Sequence, residues 1–129
     1  MDELSQKRRK KMKNKVAETK AMCAVDYAFQ RMGGKYKARI LFHLGSGLMR
    51  YGALRKSMPD ITPKMLTQAL RELEGDELIS RKVYHEVPPK VEYQLTPVGT
   101  ELIPSIGLLC EWGKKQMTKK NLPIVTDFY

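Results

Sequence analysis

Between residues 61 and 74, ITPKMLTQALRELE, the apolar positions Met65, Leu66, Ala69, Leu70 and Leu73 have the spacing that wraps them along one face of a 3.6-residue helix. Thr62 can cap its start, because its hydroxyl can accept from a first-turn N–H. Pro63 follows at the helical position where a missing N–H costs nothing. The opposite face carries Lys64, Thr67, Gln68 and Arg71, with no acidic residue before Glu72. Upstream, AVDYAFQRM (24–32) sets Val25, Ala28, Phe29 and Met32 at helical spacing and predicts a first core helix ended by Gly33-Gly34. KARILFHLG (37–45) repeats the pattern with Ile40, Leu41 and Leu44 inward, Gly45 as a stop and His43 on the helix surface. GLMRY (47–51) is a short extended stretch leading into YGALRKSM, where Leu54 and Met58 lie four apart. Pro59-Asp60 then breaks the chain just before Thr62. Two short helices joined so tightly must cross steeply, as in a helix-turn-helix.

Past an exit turn at Gly75-Asp76 the period falls to two. Ile79 and Val83 share a strand face with Arg81 between them, and Val91, Tyr93 and Leu95 alternate with Glu92 and Gln94. This predicts a two-stranded ribbon with EVPPK at its tip, where Pro88 and Pro89 cannot donate to a ladder and stiffen the turn. The last long element is PVGTELIPSIGLLCEWGKKQMTKK (97–120). Leu102, Ile106, Leu109 and Gly113 make one stripe, and Ile103, Leu108, Cys110 and Trp112 add apolar surface on other sides, more than one core requires. A dimerisation helix is expected, with Leu102, Ile106, Leu109 and Trp112 at the interface. The competing reading wraps part of this surface onto the first helix. Pro104 is tolerated in the first turns and would kink a helix placed deeper.

The fold class expected is α+β, mainly α: a winged helix-turn-helix with a two-stranded wing and a long C-terminal dimerisation helix. The parts are a weakly anchored basic arm (1–20), the DNA-binding domain (21–120) and a tail (121–129) that forms no element alone.

Charge alters the picture more than composition does. The 129 residues carry 24 Lys+Arg against 14 Asp+Glu, a net +10. Residues 1–20 hold eight basic and three acidic residues, +5, so the body keeps the other +5 and is itself suited to a polyanion. No apolar run approaches the roughly 18 residues that cross a bilayer, and no apolar segment follows the basic start as a signal peptide would, so a cytoplasmic protein with no membrane partner is expected. Cys23 and Cys110 match no disulfide framework or zinc spacing, and His43 and His85 stand apart, so no metal and no cofactor are expected. There is no nucleophile set in context and no phosphate-cradling glycine loop. An enzyme is not expected.

Arg and Lys can donate to guanine O6 and N7, and Gln can bond adenine N6 and N7, so Lys64, Thr67, Gln68 and Arg71 suit base edges in a major groove. Thr62 at the helix start, Arg50 before the first helix of the pair, and Arg81, Lys82 and Lys90 on the hairpin complete the expected DNA-binding set. The bland alternatives are a solvated helix face and, on the hairpin, edge protection against aggregation. Cys23, near a helix start and Lys20, is the redox candidate. The alternative is a small apolar residue closing that helix, and Cys110 is expected to be packing.

Taken together, CAVDYAFQRMGGKYK, TPKMLTQALREL, VYHEVPPKVEYQLTPVG and LLCEWG, in this order from Cys23 to about Trp112 and over roughly two-thirds of the chain, resemble the HxlR-type transcriptional regulators, relatives of the MarR-like regulators. Ala24, Tyr36 and His85 depart from the family's usual Pro, Trp and Pro. The resemblance implies a non-enzymatic, dimeric DNA-binding regulator, and a two-fold homodimer is expected to bind a pseudo-palindromic double-stranded DNA operator. It also implies a cysteine at the position of Cys23 that in some members senses oxidants or electrophiles. A thiol-reactive or small-molecule signal is the candidate control, the effector itself being unknown. A winged helix serving protein interaction or RNA binding is the competing function.

Overall fold

A computed structural model of the chain describes residue 3 and residues 20–125. Its elements run α1 (Ala24–Met32), α2 (Lys37–Leu44), β1 (Met49–Arg50), α3 (Tyr51–Ser57), α4 (Pro63–Gly75), β2 (Ile79–Tyr84), β3 (Lys90–Leu95) and α5 (Pro97–Lys119). This is a mainly helical winged helix. The expectations for the basic arm and for residues 126–129 lie outside the described residues.

Helix α4 begins as its sequence predicts, with Thr62 Oγ1 accepting from the Met65 N–H at 3.2 Å and Pro63 in the first turn. Leu66, Ala69, Leu70 and Leu73 are buried at i, i+3, i+4 and i+7. Met65, expected inward, lies off the edge of that stripe and stays 41 % exposed. The exit also differs from expectation. Gly75 is still helical, and the left-handed residue is Glu77 (φ 61). Glu77 N–H donates to Glu74 O and Leu78 N–H to Leu73 O, both at 3.0 Å, a Schellman closure that brings buried Leu78 back over buried Leu73.

The core gathers Ile40, Leu41 and Leu44 of α2, Leu54 of α3, Met58 and Ile61 of the helix-turn-helix junction, the α4 stripe, Ile79, Tyr93 and Ile106. Gly45 caps α2 without leaving the right-handed region, so the turn is completed farther on, by Gly47 at φ +132.

The sheet has a third strand that the two-stranded reading missed. In the order β1-β3-β2, Met49 pairs Tyr93 and Arg50 pairs Glu92 on one side of β3, while Ile79 pairs Leu95 through to Tyr84 with Lys90 on the other. Two residues carry no readable period, which is why GLMRY shows only as extended. Alternation divides the sheet. Met49, Ile79, Arg81, Val91, Tyr93 and Leu95 share the face turned to the core, and Arg50, Ser80, Lys82, Tyr84, Lys90 and Glu92 share the other.

Helix α5 starts on Thr96, whose Oγ1 accepts from the Gly99 N–H at 3.1 Å and donates to Glu77 O at 2.6 Å. Gly99 lies directly on the Leu78 carbonyl, where a Cβ would collide with backbone. The helix continues through Pro104 to Lys119.

Two expectations about packing are corrected. First, α1 is no closed core helix, because only Met32 is buried and Ala28 partly so, leaving Val25 60 % and Phe29 53 % exposed. Second, Ile106, expected at a dimer interface, lies in its own domain's core, and Leu102 is half-buried against it. The stripe i, i+4 of α5 faces inward, so the apolar surface left over is on its flanks: Leu108, Leu109 and Trp112, the last 65 % exposed.

Candidate nucleic-acid interface

Because Leu66, Ala69, Leu70 and Leu73 anchor α4 from inside, its other side is presented to solvent as a unit. Pro63, Lys64, Thr67, Gln68 and Arg71 line one shallow depression of about 380 Å³. Lys64, Gln68 and Arg71 are exposed and Thr67 half-buried, with its hydroxyl 3.5 Å from Tyr51 Oη of α3. Thr62 is exposed but its hydroxyl is committed to the cap. The amide of Gln68 donates from Nε2 to Glu72 Oε1 at 3.4 Å, and Glu72 in turn holds Lys37 of α2 at 2.7 Å. The bond from Lys37, seconded by Gln68, keeps the Glu72 carboxyl below the usual carboxylate range.

Beside this helix a groove of about 1160 Å³ separates the wing from α3 and α4. Arg50, Lys56, Thr67 and Lys90 line it, with Pro88 and Pro89 of the tip at its far side. Lys56 was not singled out in the sequence, since a lysine on a short helix has the pattern of any solvated face. The rest of the lining is largely apolar and carries one acid, Glu86, so Arg50, Lys56 and Lys90 are the groups there that could hold a phosphate backbone.

The expected wing cations are not equivalent. Arg81 projects from the core-side face and reaches Glu74 of α4, 3.6 Å away, whereas its neighbour Lys82 projects from the other face over the Tyr84 ring at 4.8 Å. Lys90 also lies over that ring, 4.6 Å from its centroid, and binds Glu92 Oε1 at 2.8 Å. Glu92, buried at 8 % exposure, accepts in addition from Tyr84 Oη at 3.2 Å and stands opposite Arg50 in register. The Lys90 bond is the main cause, and the Tyr84 hydroxyl a lesser one, that lowers the Glu92 pKa. Nothing in the alternation of Glu92 distinguishes it from a solvent-facing residue. Its burial comes from the cations and the tyrosine that close over it. The structure therefore puts Arg50, Lys82 and Lys90 on one face of the sheet, with Arg50 and Lys90 at the groove, and ties Arg81 back to α4.

Cys23 is exposed at the N-cap of α1, not packed under the helix start. No hydrogen bond of good geometry closes that cap, so the pull on the thiol is electrostatic: the N–H groups of Asp26 and then Val25 lower its pKa from the ordinary value. The cause is the helix backbone and neither Lys20 nor the Asp26 carboxylate. Cys110 is half-buried on α5. Among the described residues no group of His, Cys, Asp or Glu could hold a metal ion, and no helix is long and apolar enough to cross a membrane.

The profile of the HxlR-like helix-turn-helix family matches residues 31–121. An uncharacterized HTH-type transcriptional regulator of Methanothermobacter thermautotrophicus is 48% identical over 93 residues, 72% of this chain and 71% of that protein. The crystal structure of the HTH-type regulator YtcD, a Bacillus subtilis protein, is 46% identical and superposes with a TM-score of 0.71 over 75% of this chain and 99% of its own. The redox regulator HypR, solved in its oxidized form, is 44% identical with a TM-score of 0.69, covering 72% of this chain and 96% of that one. Its reduced form gives 0.70 at 43% identity over 72% and 92%.

Proposed function

The chain belongs to the HxlR-like helix-turn-helix family of transcriptional regulators, and from that premise we propose that it is a homodimer binding double-stranded DNA at a pseudo-palindromic operator. Lys64, Thr67, Gln68 and Arg71 enter the major groove, with Thr62 at the helix start. Arg50, Lys90 and Lys82 meet the flanking phosphates, and Arg81 joins them on leaving Glu74. The observation that carries this reading is the free face of α4, anchored from inside and opening onto the cationic groove of the wing. An anchored helix beside a basic wing places base-reading and backbone-positioning groups on one side of the molecule.

The dimer is supported by the apolar surface that α1 and α5 leave uncovered in one subunit, chiefly Val25, Phe29, Leu108, Leu109 and Trp112. Control by a thiol-reactive signal at Cys23 is supported by its exposure, by the helix N-terminus that favours its thiolate, and by likeness to the redox regulator HypR. The test is selection of duplex sites from random DNA by the full chain, followed by anisotropy titration. A dyad-symmetric site bound at least about a hundredfold tighter than random duplex is expected. Equal affinity for all duplexes, or none, removes the reading.

A further inference from the structure

One carboxylate beside the free face of α4 has its two oxygens assigned to different tasks. Glu72 Oε2 holds Lys37 Nζ at 2.7 Å, and Lys37 is largely covered, its side chain 15 % exposed. Glu72 Oε1 accepts from Gln68 Nε2 at 3.4 Å. The ammonium from α2 stops the carboxylate from turning freely, and the carboxylate, which can only accept, requires the nitrogen end of the Gln68 amide to point at it.

A primary amide has two N–H donors and one carbonyl. With one N–H given to Glu72, Gln68 keeps one donor and one acceptor for a base. In the major groove adenine offers an acceptor at N7 beside a donor at N6, which that remainder matches. Guanine offers two acceptors, N7 and O6, and would set the amide carbonyl against O6. An unrestrained glutamine could turn its amide over and donate instead.

We infer that Glu72, braced by Lys37, is a positioning residue that fixes the amide of Gln68 and makes it a reader of adenine that rejects guanine. The inference rests on the proposed docking of α4 in the major groove and adds to it the base preference and the two residues that set it. Neither Glu72 nor Lys37 needs to touch DNA.

The experiment measures the parent and the variants Gln68→Ala, Glu72→Gln and Lys37→Met against the selected operator and a panel of its single base-pair substitutions. In the parent, one A·T pair in each half-site should tolerate G·C poorly, by roughly tenfold or more. Gln68→Ala should abolish that preference. Glu72→Gln, whose own amide can accept or donate, and Lys37→Met should bind the operator within about threefold of the parent, yet lose about fivefold or more of the discrimination at that pair alone. If Gln68→Ala loses the preference while Glu72→Gln and Lys37→Met keep it whole, the inference fails and the docking stands. A loss spread equally over every base pair, with a lowered melting temperature, makes the Lys37–Glu72 pair a packing contact and also overturns it. A Gln68→Ala variant that retains the parent's full pattern overturns both the docking and this inference.

Discussion

Arg39 of α2 grips Asp60 with both guanidinium nitrogens, Nη1 to Oδ2 at 2.8 Å and Nη2 to Oδ1 at 3.0 Å, and so pins the turn between α3 and α4 to the body of the domain. The pair is bidentate, but it is well exposed to water. The Arg39 bond lowers the Asp60 pKa from its ordinary 3.8. The sign follows from linkage. A depressed folded-state pKa contributes stability that is complete above the unfolded value and is lost as pH falls below it. Asp60→Asn should therefore be less stable than the parent by roughly 0.2–1 kcal/mol at pH 7, the screened value for such pairs, and the gap should close below the ordinary Asp value. Urea denaturation at several pH values measures it. A gap that is the same at pH 7 and pH 3 would contradict the assignment.

Gln68→Ala or Arg71→Ala should cost about 1–3 kcal/mol on the selected operator and relax its specificity. Lys90→Ala should weaken all sequences alike and flatten the slope of log affinity against log salt by about one unit. Because Lys90 also holds Glu92, this variant leaves that carboxylate with the Tyr84 hydroxyl but without its lysine. Lys90→Ala/Glu92→Gln should then recover part of the affinity without recovering the slope. Anisotropy titrations between 50 and 200 mM salt are enough to separate base readers from phosphate contacts.

At Gly99 the packing leaves no room. The first turn of α5 lies against the Leu78 carbonyl, and Thr96 is bonded on both sides of that contact, to Gly99 and to Glu77. Elsewhere on an exposed helix Gly→Ala is stabilising by up to about 1 kcal/mol. Here Gly99→Ala should reverse that sign and destabilise by roughly 1–3 kcal/mol, since backbone must move to admit the methyl. Gly107, in the same helix with open space around a Cβ, is the control, and Gly107→Ala should be neutral or stabilising. Paired thermal melts decide it.

Trp112→Glu and Leu109→Glu should give a folded chain that no longer pairs, since both side chains are exposed on a single subunit. Light scattering should fall from about twice 14.9 kDa to that mass, with the circular dichroism spectrum retained. A dimer also fixes the DNA. Two recognition helices related by a two-fold axis must reach major grooves about 34–36 Å apart, or a multiple, so the selected operator should show matching half-sites. A parent that scatters as a monomer at micromolar concentration would remove the dimer, and with it the expected dyad.

The α4 stripe and its cap were legible because Thr62-Pro63 and the i, i+3, i+4 pattern are local properties of the chain. So were the hairpin and the order of elements. What sequence could not give depends on neighbours. Val25 and Phe29 have the spacing of a core helix, but among the described residues nothing covers them. Ile106 and Leu109 share one stripe, yet the core reaches only the first. In the wing, Arg81 and Lys82 form one basic run, and strand alternation sends them to opposite faces. Lys37–Glu72 and Lys90–Glu92 are pairings that no periodicity announces, because charge pairing leaves no period in the apolar pattern.

The thiol of Cys23 supplies the last expectation. An exposed sulfur at a helix N-terminus gains thiolate character from the Asp26 and Val25 N–H groups, and the thiolate is the form that attacks oxidants and electrophiles. Reaction with diamide forms an adduct that a second thiol displaces, giving a disulfide and the reduced hydrazine. The second thiol is that of another subunit or a small thiol in solution. Either product places new bulk or a covalent tie beside α1, whose Val25 and Phe29 are among the surfaces proposed to pair subunits. The geometry of the two recognition helices should then change, and operator affinity with it. Cys110, half-buried on α5, should react more slowly. Treated parent should therefore shift in operator affinity by about threefold or more, the scale of an ordinary coupling between sites, Cys23→Ser should not respond, and Cys110→Ser should respond as the parent does. A shift that survives Cys23→Ser, or a parent that does not shift, would take thiol control away from this residue.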